Sequence, residues 1–230
     1  MEKVDYLKKY NKKIQIIDLE NTINTNFDNI PSLWVDVFME KDFKRQVELL
    51  LENWTKHLGS ELSNTIAYLK SNLIDLDLLE NEGAYSILYS IKNSEGRILY
   101  YEGKNPNNHF HNKSLINNWD KISTSIRTFY EKIHDGFYYY ASESMGLVSL
   151  NSVTYLDEYE WGILDEIDDP IKINLQTSYG FFSNGMGGYV VFDFENGQND
   201  NAALWWNDEY PDYNINFWDV VDEWIVVGFE

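Results

Sequence analysis

The stretch that decides the fold is residues 178–228, SYGFFSNGMGGYVVFDFENGQNDNAALWWNDEYPDYNINFWDVVDEWIVVG. Three runs in it are rich in aromatic and β-branched residues and are bounded by Gly, Asn or Asp, which predicts antiparallel strands at 179–182, 189–194 and 202–206. The glycine-rich segment 183–188 leads into another strand and not into a helix. It therefore predicts a hairpin turn and not a phosphate-binding loop.

The same stretch ends in a predicted amphipathic helix, because its apolar residues recur with helical spacing. Asn216 is suited to cap the start of this helix, and Gly228 to end it. The residues expected to face the core are Phe217, Val220, Val221, Trp224 and Ile225, and the acids expected to face solvent are Asp219, Asp222 and Glu223.

The sequence of residues 1–80 predicts a helical N-terminal segment. A short helix and a loop are expected before residue 32. A longer helix is predicted over 41–58. It has one apolar face, and Gly59 is expected to end it. Ser60 is predicted to cap the next helix, so that the two form a helical hairpin.

From Gly83 the apolar residues alternate, which predicts a β-hairpin formed by 84–91 and 97–101. Residues 102–113 are a loop by composition, and both of its flanks are compatible with one sheet.

An amphipathic helix is predicted to begin at Ser123, and Gly136 favours the end of this helix. His134 in the last turn of this helix suits the helix dipole when it is protonated. Further short elements are expected at 137–140, 146–150 and 171–175 as strands, and at 152–161 as a brief helix.

The composition indicates a globular protein, since 43% of the 230 residues are hydrophobic. The absence of cysteine excludes disulfides, thiolate zinc sites and cysteine nucleophiles. No apolar run approaches the roughly 20 residues of a membrane span, and the first residues lack the apolar middle of a signal peptide. A cytoplasmic location is therefore expected.

The charge of the chain is strongly one-sided along the sequence. Of the net charge of −20, residues 141–230 carry −17, because only Lys172 opposes 18 acids there. Such a surface repels phosphate groups, so we expect no direct binding to nucleic acid or to an anionic membrane. It attracts a basic partner, although acidity also keeps an aromatic-rich protein in solution.

Several motifs of the second half, taken in order, resemble the SUKH superfamily in its cell-wall-regulator-like (Smi and Knr) branch. Together they cover about residues 119–228. Ser123 departs from the pattern, since the family usually places a proline before this helix. The motifs are SIRTFYEKIHDGF at 125–137, GLVSL at 146–150, SNGMGGY at 183–189, LWW at 204–206 and NFWDVVDEWI at 216–225.

The resemblance implies an α+β fold with a mainly antiparallel sheet and helices packed on it. We therefore expect one domain, 1–230, in which the helical segment 1–80 precedes an α+β body at 81–230. The resemblance also implies that the chain has no catalytic residues and uses no cofactor. Bacterial members are typically immunity proteins that bind and neutralise a cognate toxin domain, often a nuclease or a deaminase. An acidic inhibitor of a basic nuclease agrees with the charge of the chain.

Other chemistries are less well supported by the sequence. His109 and His111 alternate, but no accompanying ligand pattern predicts a metal site. The main alternative is a carbohydrate-binding protein or an acidic glycoside hydrolase, because the chain is rich in aromatic residues and carboxylates. Its catalytic carboxylates would come from Asp165, Glu166, Asp168 and Asp169. Clustered acids in a loop are, however, usually a solvated surface.

The expected partner-binding surface lies on both sides of the predicted strand 202–206. Strand alternation places Trp205 and Trp206 on opposite faces of the sheet, and an exposed Trp206 beside acids is typical of an interface anchor. A second core layer is the other interpretation of this pair. The residues predicted for the surface are Glu195, Asp200, Trp206, Asp208, Glu209 and Asp212.

Overall fold

A computed structural model of the chain describes residues 2–19, 29–107, 109–166 and 170–230. Within these residues the chain has the predicted α+β fold, with one antiparallel sheet of eleven strands. None of the described helices has the length and the apolar character needed to cross a membrane.

The described chain has seven α-helices and eleven strands. The helices are α1 (Lys3–Tyr10), α2 (Ser32–Met39), α3 (Phe43–Leu58), α4 (Ser63–Asn72), α5 (Lys113–Asn118), α6 (Thr124–Lys132) and α7 (Phe217–Phe229). The strands are β1 (Gln15–Ile17), β2 (Leu73–Asn81), β3 (Ala84–Lys92), β4 (Ile98–Lys104), β5 (Phe137–Tyr139), β6 (Ser144–Leu147), β7 (Thr154–Tyr155), β8 (Ser178–Ser183), β9 (Gly188–Asp193), β10 (Asn201–Trp206) and β11 (Asp212–Asn216).

The order of the strands in the sheet follows their order in the chain, from β1 at one edge to β11 at the other. Only β7 leaves this path, and it pairs with β8. β4 continues to Lys104, into the predicted loop 102–113, and pairs with β5, which follows α6. β2 of the helical segment 1–80 pairs with β3 of the α+β body, so both parts of the chain share one sheet.

The first face of the sheet carries the main core. Helices α2, α3, α4, α6 and α7 cover this face. Large aromatic side chains fill the space between them and the strands, because each removes much apolar surface from water. Trp34, Trp54, Tyr89, Phe129 and Phe137 are the centre of this core, each at most 2% exposed.

Two separate groups of residues pack on the second face of the sheet. At one end Leu7 of α1 and the neighbouring Ile14 pack against Leu79 and Leu88. At the other end residues 156–166 and 170–175, here called the outer segment, pack against β9 and β10 through a second aromatic cluster. The middle strands β3, β4 and β5 carry Ser86, Glu102 and Tyr138 on this face, where hydrogen bonds join them.

Most local predictions for the second half are confirmed. The three strands of the deciding stretch are β8, β9 and β10, and Asn184 closes the hairpin turn by accepting hydrogen bonds from the N–H groups of Met186 and Gly188 at 2.8 and 2.9 Å. Asn216 caps α7, as predicted, through the N–H groups of Trp218 and Asp219. The hairpin of β3 and β4 and the helix α6 are also as predicted.

Several other local predictions are wrong. Residues 73–80, which belong to the segment expected to be helical, form most of β2 because this strand pairs with β3. Ser60 does not cap α4, which begins at Ser63. Residues 171–175 are not a strand, since they lie on the sheet as part of the outer segment. The brief helix expected at 152–161 is replaced by β7 and a single 3-10 turn, Leu156–Glu158.

Three predictions about α6 and α7 are corrected by packing. α7 continues past Gly228 to Phe229, and a Cβ atom on Gly228 would lie 2.4 Å from the hydroxyl oxygen of Tyr101. Asp222 is 4% exposed and does not face solvent. His134 is fully buried, and burial lowers its pKa to about 3, so it is neutral and carries no charge that could interact with the helix dipole.

Candidate partner-binding surface

The acids of the second half form an exposed surface without ion pairs among the described residues. Of the described acids after residue 140, only Asp193, Asp200 and Asp222 are not exposed. The ion pairs between described residues all lie before residue 141. The negative charge predicted from the sequence is therefore presented to solvent.

The six predicted surface residues do not form one patch. β10 spans six residues, 201–206, so its ends are roughly 17 Å apart at the usual rise of a strand. Glu195 and Asp200 lie in the loop before β10, whereas Asp208 and Glu209 follow its other end. Asp212 belongs with the latter pair, since it is opposite Leu204 in the β10–β11 ladder.

Asp200 is part of the fold rather than of a free surface. Its carboxylate accepts hydrogen bonds from the hydroxyl groups of Ser123 and Ser125, the second at 2.6 Å. The indole N–H of Trp218 donates to Ser125 as well, at 2.8 Å. Asp200 therefore fastens the β9–β10 loop to the start of α6, at the position where the SUKH pattern usually has a proline. Glu195, in the same loop, is exposed.

Three chain segments meet beyond the C-terminal end of β10. The backbone N–H of Asn207 donates to the carbonyl of Gly187 at 3.1 Å, which joins the β8–β9 turn to the loop after β10. The hydroxyl of Tyr210 contacts the carbonyl of Glu166 at 3.4 Å, which joins that loop to the outer segment. We call this region the acidic end and define it as Asp165, Glu166, Met186, Asp208, Glu209, Tyr210 and Asp212.

Large apolar side chains are exposed among these acids. Met186, at the tip of the β8–β9 turn, is 81% exposed, and Tyr210 is 59% exposed. Sequence reasoning did not single out either residue. Their positions in turns rich in Gly, Asn and Asp, outside any apolar period, are the signal that points to exposure.

The two tryptophans of β10 lie on opposite faces of the sheet, as alternation predicts. Trp205 is fully buried under the outer segment, with its ring 5.4 Å from that of Trp161. Trp206 is half-buried, and its ring lies 5.8 Å from that of Trp224 on α7. Trp206 therefore contributes to packing between β10 and α7 and presents only part of its ring beside the acidic end.

The carboxylates of the alternative hydrolase hypothesis are not gathered into a site among the described residues. Asp165 and Glu166 are exposed on the outer segment, and Asp168 and Asp169 lie outside the described residues. His109 and His111 lie in the loop before α5. In the described part of the chain, no group of three or more His, Asp or Glu side chains has a geometry that could hold a metal ion.

The motifs that resemble the SUKH superfamily occupy α6 with β5, β6, the β8–β9 turn, β10 and α7. No family model matches the chain, and no curated protein and no solved structure is significantly similar to it. Membership of that superfamily therefore stays a prediction from the motifs.

Proposed function

We propose that this chain is an immunity protein that neutralises a basic toxin domain, such as a nuclease, by stoichiometric binding at the acidic end. The observation that carries the proposal is the combination, at one place, of unpaired acids with the exposed Met186 and Tyr210. Interfaces between proteins concentrate methionine and aromatic side chains at their centre and polar groups at their rim.

The charge of the acidic end fits a basic partner. Its carboxylates form no ion pair among the described residues, so a partner's Lys or Arg side chains would supply countercharge. Opposite charge accelerates encounter between proteins, and it does so less at high salt. A nuclease carries such basic groups because it binds phosphates, and an acidic inhibitor that occupies them blocks the substrate.

The toxin to test is the C-terminal domain of any large secreted protein encoded next to this chain. Binding rates are measured for the parent and for a triple variant, Asp208→Asn with Glu209→Gln and Asp212→Asn, at low and at high salt. We expect the variant to associate about tenfold more slowly at low salt, with a weaker salt dependence. Tyr210→Ala should speed dissociation instead, because a desolvated aromatic side chain holds a complex after encounter.

A matched triple variant away from the acidic end is the control: Glu195→Gln with Asp219→Asn and Glu223→Gln. It removes the same charge from exposed positions, so a larger effect at the acidic end identifies the contact surface. Equal rates for both triple variants and the parent would place the interface elsewhere. Titration of toxin activity tests the mode of action, since stoichiometric binding requires an equal amount of this chain, whereas an enzyme would inactivate the toxin in sub-stoichiometric amounts.

A further inference from the structure

A polar cleft opens on the second face of the sheet, and no residue of the acidic end contributes to it. Its volume is about 410 Å³, within the range of roughly 300–1,000 Å³ that is typical of small-molecule sites. Strands β2, β3 and β4 form one wall, and the segments that follow α6 and β6 form the other. The lining residues that the argument uses are Asn81, Ser86, Glu102, Lys104 and Asp135.

Two carboxyl groups line the cleft without an ion pair among the described residues, and the side chain of Glu102 is half-buried. Glu102 accepts hydrogen bonds from the hydroxyl groups of Ser86 at 2.6 Å and Tyr138 at 3.5 Å. Asp135, which is 3% exposed, accepts one from the backbone N–H of Leu150 at 2.8 Å. Burial raises the pKa of both carboxyl groups. Buried carboxylates are costly unless a cation pairs with them, and neither has such a partner among the described residues.

The one lysine of the cleft does not neutralise these groups directly. The ammonium nitrogen of Lys104 lies 5.4 Å from the centre of the Tyr138 ring, and it forms no ion pair with a described carboxylate. Its charge still lowers the pKa of Glu102 and of Asp135, although less than burial raises them. With both carboxyl groups ionised, the cleft therefore has an excess of negative charge.

One acceptor on the walls of the cleft also lacks a donor. The side-chain oxygen of Asn81 is shielded from solvent and has no hydrogen-bond partner among the described residues. Buried acceptors in native proteins are almost always paired, so an unpaired one on the wall of a cleft indicates a missing donor. A ligand that brings several N–H donors and a positive charge would satisfy the acceptors and the carboxylates together.

We propose that this cleft binds a small organic cation that carries a guanidinium or a primary ammonium group. Glu102 and Asp135 would accept N–H bonds from the cation, and the aliphatic part of the ligand would lie near Ala84 and Tyr85. This site goes beyond the proposed function, because it is formed by other strands and does not require a protein partner.

The experiment is calorimetric titration of the full chain with N-ethylguanidinium chloride and with putrescine, and, in parallel, with sodium phosphate and methyl glucoside. We expect saturable binding of one cation per chain. Glu102→Gln and Asp135→Asn should each weaken it about tenfold or more, since each removes one partner of a buried charge pair. Lys104→Met should tighten the binding of the cation because it removes a like charge.

Two controls keep the result interpretable. Asp208→Asn removes the same charge at the acidic end and should leave the affinity for the cation unchanged. Thermal unfolding of every variant verifies that it is folded. The proposal is overturned if neither cation binds saturably, if Lys104→Met weakens cation binding, or if phosphate or the glucoside binds more tightly than both cations.

Discussion

Asp222 on α7 accepts a hydrogen bond at 2.8 Å from the backbone N–H of Thr65, in the first turn of α4. Its second oxygen accepts from the N–H of Asn64 at 2.9 Å. Leu62, at the N-cap position of α4, has no side chain that can accept these bonds. The carboxylate of a residue 157 positions later in the chain therefore caps this helix.

Asp222→Ala should lower the free energy of unfolding by about 1–2 kcal/mol, because two N–H groups in the first turn of α4, that of Thr65 buried, lose their acceptor. Asp222→Asn keeps one acceptor oxygen and should cost less. Urea denaturation measures the change. Glu223→Ala, one residue on and exposed, is the control and should be close to the parent; an equal loss in both variants would contradict the capping role.

The stability of the chain should decrease below about pH 6.5, because His134 is buried in its neutral form. Its Nδ1–H donates to the carbonyl of Lys104 at 3.2 Å, and its Nε2 accepts from the hydroxyl of Tyr89 at 2.6 Å. Burial lowers its pKa to about 3. Unfolded histidine binds a proton below a pKa of about 6.5, so between these values the unfolded chain binds more protons and the folded state is disfavoured as pH falls.

The expected loss from this histidine is about 1 kcal/mol between about pH 6 and pH 5. It is measured as the difference in pH dependence between the parent and His134→Phe, which removes the contribution of the carboxylates common to both. His111→Gln, in the exposed loop before α5, is the control for the loss of a histidine side chain. The explanation is wrong if His134→Phe shows the same slope as the parent.

Gly228→Ala should destabilise the chain, although alanine is normally the better helix former by about 1 kcal/mol. The new Cβ would lie 2.4 Å from the hydroxyl oxygen of Tyr101, whose ring is fully buried and packs on Phe137 and Phe229 at 5.3 and 4.7 Å. We expect a loss of about 1–3 kcal/mol.

Gly162→Ala is the matched control for this steric argument, since nothing lies within 4 Å of a Cβ atom at that position. It should change the free energy of unfolding by less than about 0.5 kcal/mol. Thermal unfolding of both variants decides between the alternatives. A stabilised Gly228→Ala variant would show that helix propensity outweighs the contact with Tyr101.

Trp206→Ala should lower the melting temperature, because Trp206 packs on Trp224, whose ring in turn lies 5.6 Å from that of Phe182. For a half-buried tryptophan we expect a loss of about 2 kcal/mol. Tyr210→Ala, which removes an exposed ring, should melt like the parent. If Trp206→Ala melted like the parent and failed only in partner binding, Trp206 would be an interface anchor and not a packing residue.

The elements predicted from the sequence are those whose signal is local. The β3–β4 and β8–β9 hairpins and the helices α3, α6 and α7 follow from apolar spacing and turn residues within a few positions. β2 was not predicted, although its residues alternate. The ammonium group of Lys3, from the opposite end of the segment, forms ion pairs with Asp75 and with Asp77, and its distance to Asp77 is 2.6 Å. A local pattern does not reveal a partner so far away in the sequence.

For the candidate sites, too, local features were predictable from the sequence and long-range contacts were not. The sequence predicts that the loops around β10 are acidic, because charge is a property of composition. It does not predict that β10 separates Glu195 from Asp208, or that Asp200 is held by Ser123. The polar cleft escaped prediction because Ser86, Glu102 and Asp135 are far apart in the chain and meet only through strand pairing.

The sequential order of the strands has a consequence for how the chain folds during its synthesis. From β2 onward, each strand of the main path pairs with a strand that has already been made, so the sheet can grow at one edge as the polypeptide emerges. Hairpins close rapidly because their partners are near in sequence. α7, which is made after all the strands of the main path, then supplies the cap of α4. α4 should accordingly lack this cap until α7 has been synthesised and has packed.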